Sequence, residues 1–327
     1  MTSLIDKFGN WLLESKHSLI SFSLLRIIYG IGMLTVLLPS MEDRSILWGP
    51  ASWWVDPEAK RRGYWTFDTI LTKSDELLFS LGYMAFIAIV LIFIAGWKTK
   101  YITPLFLLFL VALQSNNPYL TNGGDTLTRI TLLFLVFANL NEHFSVDSWL
   151  RRRKGKTVNR KNKPAWNAVH NIVLLLCMAQ IVIVYVISSY LKVIGDNWLD
   201  GTGFYYALNL ESYQIYPGLN ELIWQSSLFI KISSWMTLIA QGGFIIFILW
   251  RKLRPWAVAV LFTMHMGIAL LLAGLWQFSL VMIALDLLFI SNKEWAAIAG
   301  FVNRKILRRR SIEDELFEEK ELVAAGR

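Results

Sequence analysis

Ionisable side chains inside or at the ends of long apolar runs are the residues of this 327-residue sequence that could carry chemistry. They are Arg26, Asp125, Arg129, Lys192, Lys231, His265 and Asp286. A charge at the centre of a lipid bilayer costs about 2.5 to 3.5 kcal/mol on insertion scales. Each of these residues therefore needs a partner, water or a function, and an amine among them can act as a base.

A dense polar group maps to the outer ends of the predicted helices. Its members are Asn116, Asn117, Asp125, Arg129, Lys192, Trp198 and Lys231. Asp125 precedes Arg129 by one turn, the order that favours a local cap and ion pair at a helix start, and Lys192 in such a position can snorkel to the headgroups. The alternative is that this group, with His265, lines an outward-facing pocket in which Lys192 is a candidate base.

Arg26 and Asp286 map to similar depths in the first and last apolar runs. Arg26 lies about eight residues into its run, roughly 12 Å deep, and Asp286 lies about five residues from the inner end of the last one. We predict an ion pair between them that closes the bundle, in either a structural or a functional role.

Metal binding is not expected. His265 has no second histidine at ligand spacing, and a hydrogen-bonded packing residue is the alternative to its pocket role. The single cysteine, Cys177, lies inside an apolar run, where a small core residue is its ordinary role.

The elements that position these residues are eight apolar runs of about 15 to 24 residues, a length that suits membrane-spanning helices. They cover residues 18–38, 77–97, 101–115, 126–140, 168–191, 227–250, 255–274 and 276–291. Hydrophobic residues make up 55% of the chain and charged residues 17%, against about 25% charged in soluble domains. We predict an all-α, polytopic transmembrane helical bundle of about eight helices.

Lysine and arginine collect in four segments that fall on one side of the membrane when eight runs alternate. These are residues 98–100, 151–163, 251–254 and 304–310. The rule that positive loops stay inside places this side, and both termini, in the cytoplasm. The net charge of +8 is then directed at anionic lipid headgroups, and no nucleic-acid partner is expected.

Three domains are predicted, beginning with an interfacial amphipathic helix over residues 1–17. The transmembrane domain follows over 18–291 and a charged cytoplasmic tail over 292–327, and no cleavable signal is expected.

Two long outer loops, residues 39–76 and 193–226, are rich in aromatic side chains. These include Trp48, Trp53, Trp54, Trp65, Trp198, Phe204, Tyr205 and Tyr206. Such rings either anchor the loops at the headgroups or form a lid over a cavity.

Four ordered segments resemble the HTTM superfamily, the membrane domain shared by the vitamin K-dependent gamma-carboxylase and its bacterial relatives. They are Asn116 to Asp125 with 144–147, Tyr190 to Lys192 with 196–203, His265 to Ala269, and Trp276 to Phe289. Together they cover nearly the whole chain, and the set is similar to the family in order and in helix spacing.

The resemblance implies that Lys192 matches the lysine with which carboxylases start the oxidation of reduced vitamin K. Pro118 stands where they have a helper histidine, and it has no side-chain donor. The large lumenal domain of the carboxylases is also not expected here. These departures argue against a true gamma-carboxylase. The chain is more similar to the short bacterial branch that contains SdpB, which is needed to mature a secreted peptide toxin.

That branch implies a bacterial inner-membrane protein that assists maturation or export of a secreted peptide. Its partners would be the bilayer, a peptide precursor and other membrane proteins. The first alternative is an oxidoreductase that acts on a quinone-like lipid, with Lys192 as base. The second is a transporter or scaffold without chemistry.

Overall fold

The chain is all-α in the computed structural model, which describes residues 3–55, 71, 75–155 and 163–301. The helices are α1 Leu4–Glu14, α2 Leu19–Leu37, α3 Arg44–Leu47, α4 Glu76–Ala95, α5 Thr99–Asn116, α6 Gly123–Leu135, α7 Val146–Arg153, α8 Pro164–Val193, α9 Asp196–Leu199, α10 Gly203–Leu208, α11 Pro217–Trp224, α12 Ser227–Gly242, α13 Phe244–Leu249, α14 Arg254–Leu271 and α15 Trp276–Asp286. Short 3-10 turns cover Pro118–Leu120, Glu211–Tyr213 and Leu287–Phe289, and residues 292–301 are helical. These residues include no strand, so the predicted fold class is confirmed.

Four helices of the described part are long and apolar enough to cross a membrane, namely α2, α4, α8 and α14. Helices of about 20 residues span the roughly 30 Å hydrocarbon core. The run predicted at 227–250 is divided into α12 and α13 at Gly243, and the last run forms a shorter apolar helix over Trp276–Phe289. The number of eight crossings and the cytoplasmic side of the termini stay predictions.

Helix α15 lies at the centre of the bundle. It packs against α2, α14, α6 and α8, and most of its residues are buried. Because it is surrounded by protein, its polar residues Gln277 and Asp286 have to find partners among other side chains. Gln277 contacts Asp125, and Asp286 contacts Tyr185, in two of the polar groups described below.

The two side chains predicted to pair, Arg26 and Asp286, have different partners, and the ion pair is not formed. Asp286 accepts a hydrogen bond from Tyr185. The Arg26 guanidinium donates to backbone carbonyls of Phe93, Ile94, Leu140 and Phe144. Two of these carbonyls belong to the last turn of α4, where carbonyls lack intrahelical donors and attract a cation. Equal depth did not decide which face of each helix the side chains occupy.

Helix α1 lies against α8, and its own residues are all at least partly exposed. A capping box between Ser3 and Asp6 starts it. The Asn171 amide of α8 donates to the carbonyls of Leu12 and Ser15 at its end. The helix is therefore tied to the bundle, and its predicted place in the membrane interface remains a prediction.

Packing continues past the predicted domain boundary at residue 291. The Trp295 indole donates to Ser21 of α2 at 2.8 Å, and Glu294 forms a 2.7 Å ion pair with Arg254. The tail predicted from residue 292 therefore begins as a helix attached to the bundle. The basic segment 304–310, the acidic end of the tail and Trp65 lie outside the described residues.

Candidate functional site

The structure distributes the predicted pocket residues over several environments and does not bring them into one pocket. Lys192 and Trp198 come together at the end of α8. His265 lies in the core beside Tyr185. Asp125 lines a separate cavity. The remaining members hold loops or lie at the surface, so the depth predicted from sequence did not identify neighbours.

Lys192 lies in the last turn of α8 with neutral partners. Its Nζ donates to Ser188 Oγ at 2.6 Å and to Gln241 Oε1 at 3.0 Å. The Trp198 ring centroid lies 5.2 Å from Nζ, within cation–π range. Within residues 3–55, 71, 75–155 and 163–301, no carboxylate oxygen lies within 4.0 Å of this amine. Lys192 is therefore a partly buried cation without a paired anion in the described part of the chain.

A second polar group, Tyr185, His265 and Asp286, is fully buried in the core. Tyr185 Oη donates to the Asp286 oxygens at 2.9 and 2.8 Å and lies 3.1 Å from His265 Nε2. The His265 ring stacks on Tyr185 and meets the edge of Phe278. His265 Nδ1 has no hydrogen-bond partner among the described residues. Of the two roles predicted for the histidine, a hydrogen-bonded packing residue and a pocket residue, its place in the core agrees with the first.

Gln241 links these two groups. Its amide oxygen accepts from Lys192, and its amide nitrogen lies 3.8 Å from the sulfur of Met264, the residue before His265. Tyr185, Ser188 and Lys192 follow one another on one face of α8 at helical spacing. The two groups are thus neighbours along one polar seam of the bundle.

The cavity beside Asp125 has a volume of about 230 Å³ and lies among α2, α5, α6 and α15. Its polar end is formed by Asp125, Gln114 and Gln277, and its walls are mainly apolar. Trp48 of the first outer loop also lines it and is buried, as expected for a lid. By contrast, Trp53 is 87% exposed, as expected for an anchor. The described part of the loop thus has one buried ring at the cavity and one exposed ring, and the lid and anchor roles stay predictions.

Asn116 and Asn117 position the first outer loop and do not line the cavity. Asn116 Nδ2 donates to the Leu71 carbonyl at 2.9 Å, and Asn117 Nδ2 donates to the Leu47 carbonyl at 2.7 Å. Asn117 also accepts from the Tyr119 amide at the 3-10 turn. Both amides are buried, and their contacts fix the backbone at Leu47 and Leu71 against the end of α5.

Arg129 and Lys231 neither line the cavity beside Asp125 nor hydrogen-bond to Lys192. The Arg129 guanidinium donates to Thr126 Oγ1 at 3.3 Å on an exposed part of α6. Lys231 is exposed and packs beside Gly201, which has a φ of +88°. The predicted cap is present one turn before Arg129, because Asn122 and Asp125 form a capping box at the start of α6.

Several polar residues of these sites were missed from the sequence, namely Gln114, Tyr185, Ser188 and Gln277. Neutral polar side chains carry a smaller insertion cost than charges, and this is why they did not stand out. The helical spacing of Tyr185 and Ser188 with Lys192 was the available signal. In the described part of the chain, no group of three or more His, Cys, Asp and Glu residues could hold a metal ion.

Comparison with known proteins gives one family. The model of the HTTM domain matches residues 16–295, a range that contains α2 to α15 and all three polar groups. No curated protein and no solved structure was found to match the chain.

Proposed function

The chain belongs to the HTTM domain family, and from that premise we propose that it is a membrane enzyme of HTTM type in which Lys192 acts as a base. It crosses the bacterial inner membrane about eight times, with both termini in the cytoplasm and Lys192 near the outer face. The observation that carries the proposal is the Lys192 amine, which is partly buried among neutral partners.

The partners of Lys192 suit an amine that exchanges a proton. A buried cation without a paired anion is costly, so loss of its proton relieves that cost. Ser188 Oγ, which accepts from the ammonium, can donate its own hydroxyl proton to the neutral amine. The step is a transfer of one proton from the substrate to Nζ, which leaves the substrate as an anion next to a lysine ammonium.

The first substrate class is a secreted peptide precursor, which the chain helps to mature or export. Resemblance to the short bacterial branch of the family supports this choice. The segment after Trp198 also presents exposed aromatic side chains, among them Tyr206, Tyr213 and Tyr216. Aromatic rings of this kind supply contact area for a peptide at low entropic cost.

The second substrate class is a reduced quinone-like lipid. The side chains that flank Lys192 on α8 favour it, since Leu191 is 57% and Ile194 63% exposed. A lipid-soluble quinol can therefore approach the amine from the side of the helix. Lys192 would remove the proton of a ring hydroxyl.

Two measurements test the proposal. Mass spectrometry compares the peptides secreted by cells with and without the chain, and a peptide whose mass changes supports the first substrate class. Purified chain in lipid nanodiscs is given a reduced quinone in air, with dissolved oxygen as the two-electron oxidant, and consumption of the quinol beyond its spontaneous oxidation, followed by absorbance, supports the second. Unchanged secreted masses together with an unchanged quinol would contradict an enzymatic role and favour the scaffold or transporter.

A further inference from the structure

The cavity beside Asp125 has an excess of hydrogen-bond acceptors at its polar end. Asp125 Oδ1 accepts from Gln114 Nε2 at 3.0 Å and from Gln277 Nε2 at 3.4 Å, and Oδ2 accepts from the Asn122 amide at 2.8 Å. Both glutamines line the cavity and are more than nine-tenths buried. Their amide oxygens accept no hydrogen bond from any described residue.

The orientation of both glutamine amides is set by the carboxylate. Turning either amide around would bring its oxygen against an Asp125 oxygen, where two acceptors repel. The nitrogens therefore stay on Asp125, where Gln277 Nε2 also donates to Thr128 Oγ1 at 3.3 Å, and both amide oxygens are left buried without a donor among the described residues. A buried acceptor without a donor costs about as much as a lost hydrogen bond. The site thus favours an occupant that brings several N–H donors.

The charge of the site selects the sign of the occupant. Asp125 is the acidic residue of the lining, and the lining includes no lysine or arginine. Arg129, one turn further along α6, donates to Thr126 and is not part of the cavity wall. An anion is therefore disfavoured, and a cation gains from the carboxylate.

The walls of the cavity favour an apolar group in the part of the occupant that lies away from Asp125. They are built by apolar side chains of α2 and α5, including Met33, Val36, Leu110 and Leu113, under Trp48. The volume of about 230 Å³ is below the roughly 300 to 1,000 Å³ of drug-sized sites. This space suits one small polar group on a short apolar stem.

We propose that this cavity binds a primary ammonium group carried on an apolar stem. Its three N–H donors match the Asp125 carboxylate and the amide oxygens of Gln114 and Gln277. The stem lies against the apolar wall beneath Trp48. This inference is independent of the chemistry proposed at Lys192, since the two sites share no residue.

The test uses three probes of equal stem length on the purified full chain in detergent micelles. They are hexylamine, hexanol and hexyltrimethylammonium, titrated by calorimetry with partition into protein-free micelles subtracted. Hexylamine is expected to bind saturably and at least about tenfold more tightly than the other two, because hexanol lacks the charge and the trimethyl probe lacks the donors. Equal binding of all three would overturn the proposal and indicate a non-specific apolar cavity.

Substitutions in the cavity lining test whether hexylamine binds beside Asp125. Asp125→Asn and Gln114→Leu are each expected to weaken hexylamine binding at least about tenfold. Gln180→Leu is the matched control, because Gln180 bonds Thr131 and does not line the cavity. Gln114→Leu leaves the Asp125 cap in place, so it decides the matter if Asp125→Asn does not fold. Unchanged affinity in Gln114→Leu would contradict the proposal.

Discussion

Replacing Arg26 by methionine is expected to destabilise the bundle more than any surface substitution. The side chain is fully buried, and its guanidinium holds the end of α4 together with the segment from Leu140 to Phe144. Methionine keeps an apolar stem of similar length and removes all of these donors. The change therefore isolates the hydrogen bonds from the packing.

The magnitude follows from the carbonyls that lose their donor. The Phe93 carbonyl still accepts from the Gly96 amide at 3.0 Å. This leaves the buried Leu140 carbonyl and the partly buried carbonyls of Ile94 and Phe144. An unsatisfied buried carbonyl costs about 1 to 3 kcal/mol. Removal of a buried charge offsets part of this sum. We expect a loss of about 3 to 5 kcal/mol in the free energy of unfolding.

The assay is reversible unfolding by dodecyl sulfate in mixed micelles, followed by circular dichroism. Arg152→Met is the control, since Arg152 is exposed, and it should change the stability by no more than about 0.5 kcal/mol. If Arg26→Met differs from the unmodified protein by less than about 1 kcal/mol, water satisfies the carbonyls and the reasoning fails.

Gly96 provides an independent test of the same contact. It has a φ of +70°, and a Cβ atom there would lie 2.7 Å from Arg26 Cζ and 2.5 Å from Ser145 Cβ. Gly96→Ala should therefore displace the guanidinium and destabilise the protein. Because both changes break the same contacts, the double variant should lose less free energy of unfolding than the sum of the two single losses.

Topology and pH dependence give two further predictions. With Cys177 buried, a membrane-impermeant maleimide added outside the cell should label Asn197→Cys and leave Arg152→Cys unlabelled; the reverse pattern would invert the topology. Burial raises the pKa of Glu294, but its hydrogen bonds from Ser291 and its pairing with Arg254 outweigh this and lower it. The contribution of Glu294 to the free energy of unfolding, under about 1 kcal/mol, is then present above pH 4.5, the ordinary pKa of this carboxyl group, and is lost as the pH falls below that value. The melting temperature of Glu294→Gln should accordingly vary less than that of the unmodified protein between pH 6 and 3.5, roughly the window of carboxylate titration; equal slopes would contradict this.

The length of apolar runs predicted the helices well. The runs that became α2 and α4 differ from their helices by one or two residues at most at each end. The break at Gly243 was missed because apolar residues recur on both sides of it. Hydrophobicity measures the preference of a segment for lipid, and it does not record where a helix turns.

The partners of buried polar groups were much harder to predict. Arg26 was paired with the carboxylate that lies at the most similar predicted depth in the membrane, whereas its actual partners are backbone carbonyls. Every residue has such a carbonyl, so the sequence does not mark which ones are used. The pocket around Lys192 was assembled from residues at one depth, and the structure places Asp125 in a different cavity. Depth follows from counting residues, but neighbours depend on how the helices pack around α15.

The proposed role of Lys192 is tested most directly by comparing two lysine variants in cells that make the chain. Lys192→Gln removes the partly buried amine, and Lys231→Gln, the matched control, removes an exposed one on α12. The readout is the change in secreted peptide or quinol that depends on the chain, measured by mass spectrometry at equal amounts of folded protein. We predict that Lys192→Gln abolishes this change and that Lys231→Gln retains it. Full retention of the change in Lys192→Gln would contradict the role of Lys192 as a base.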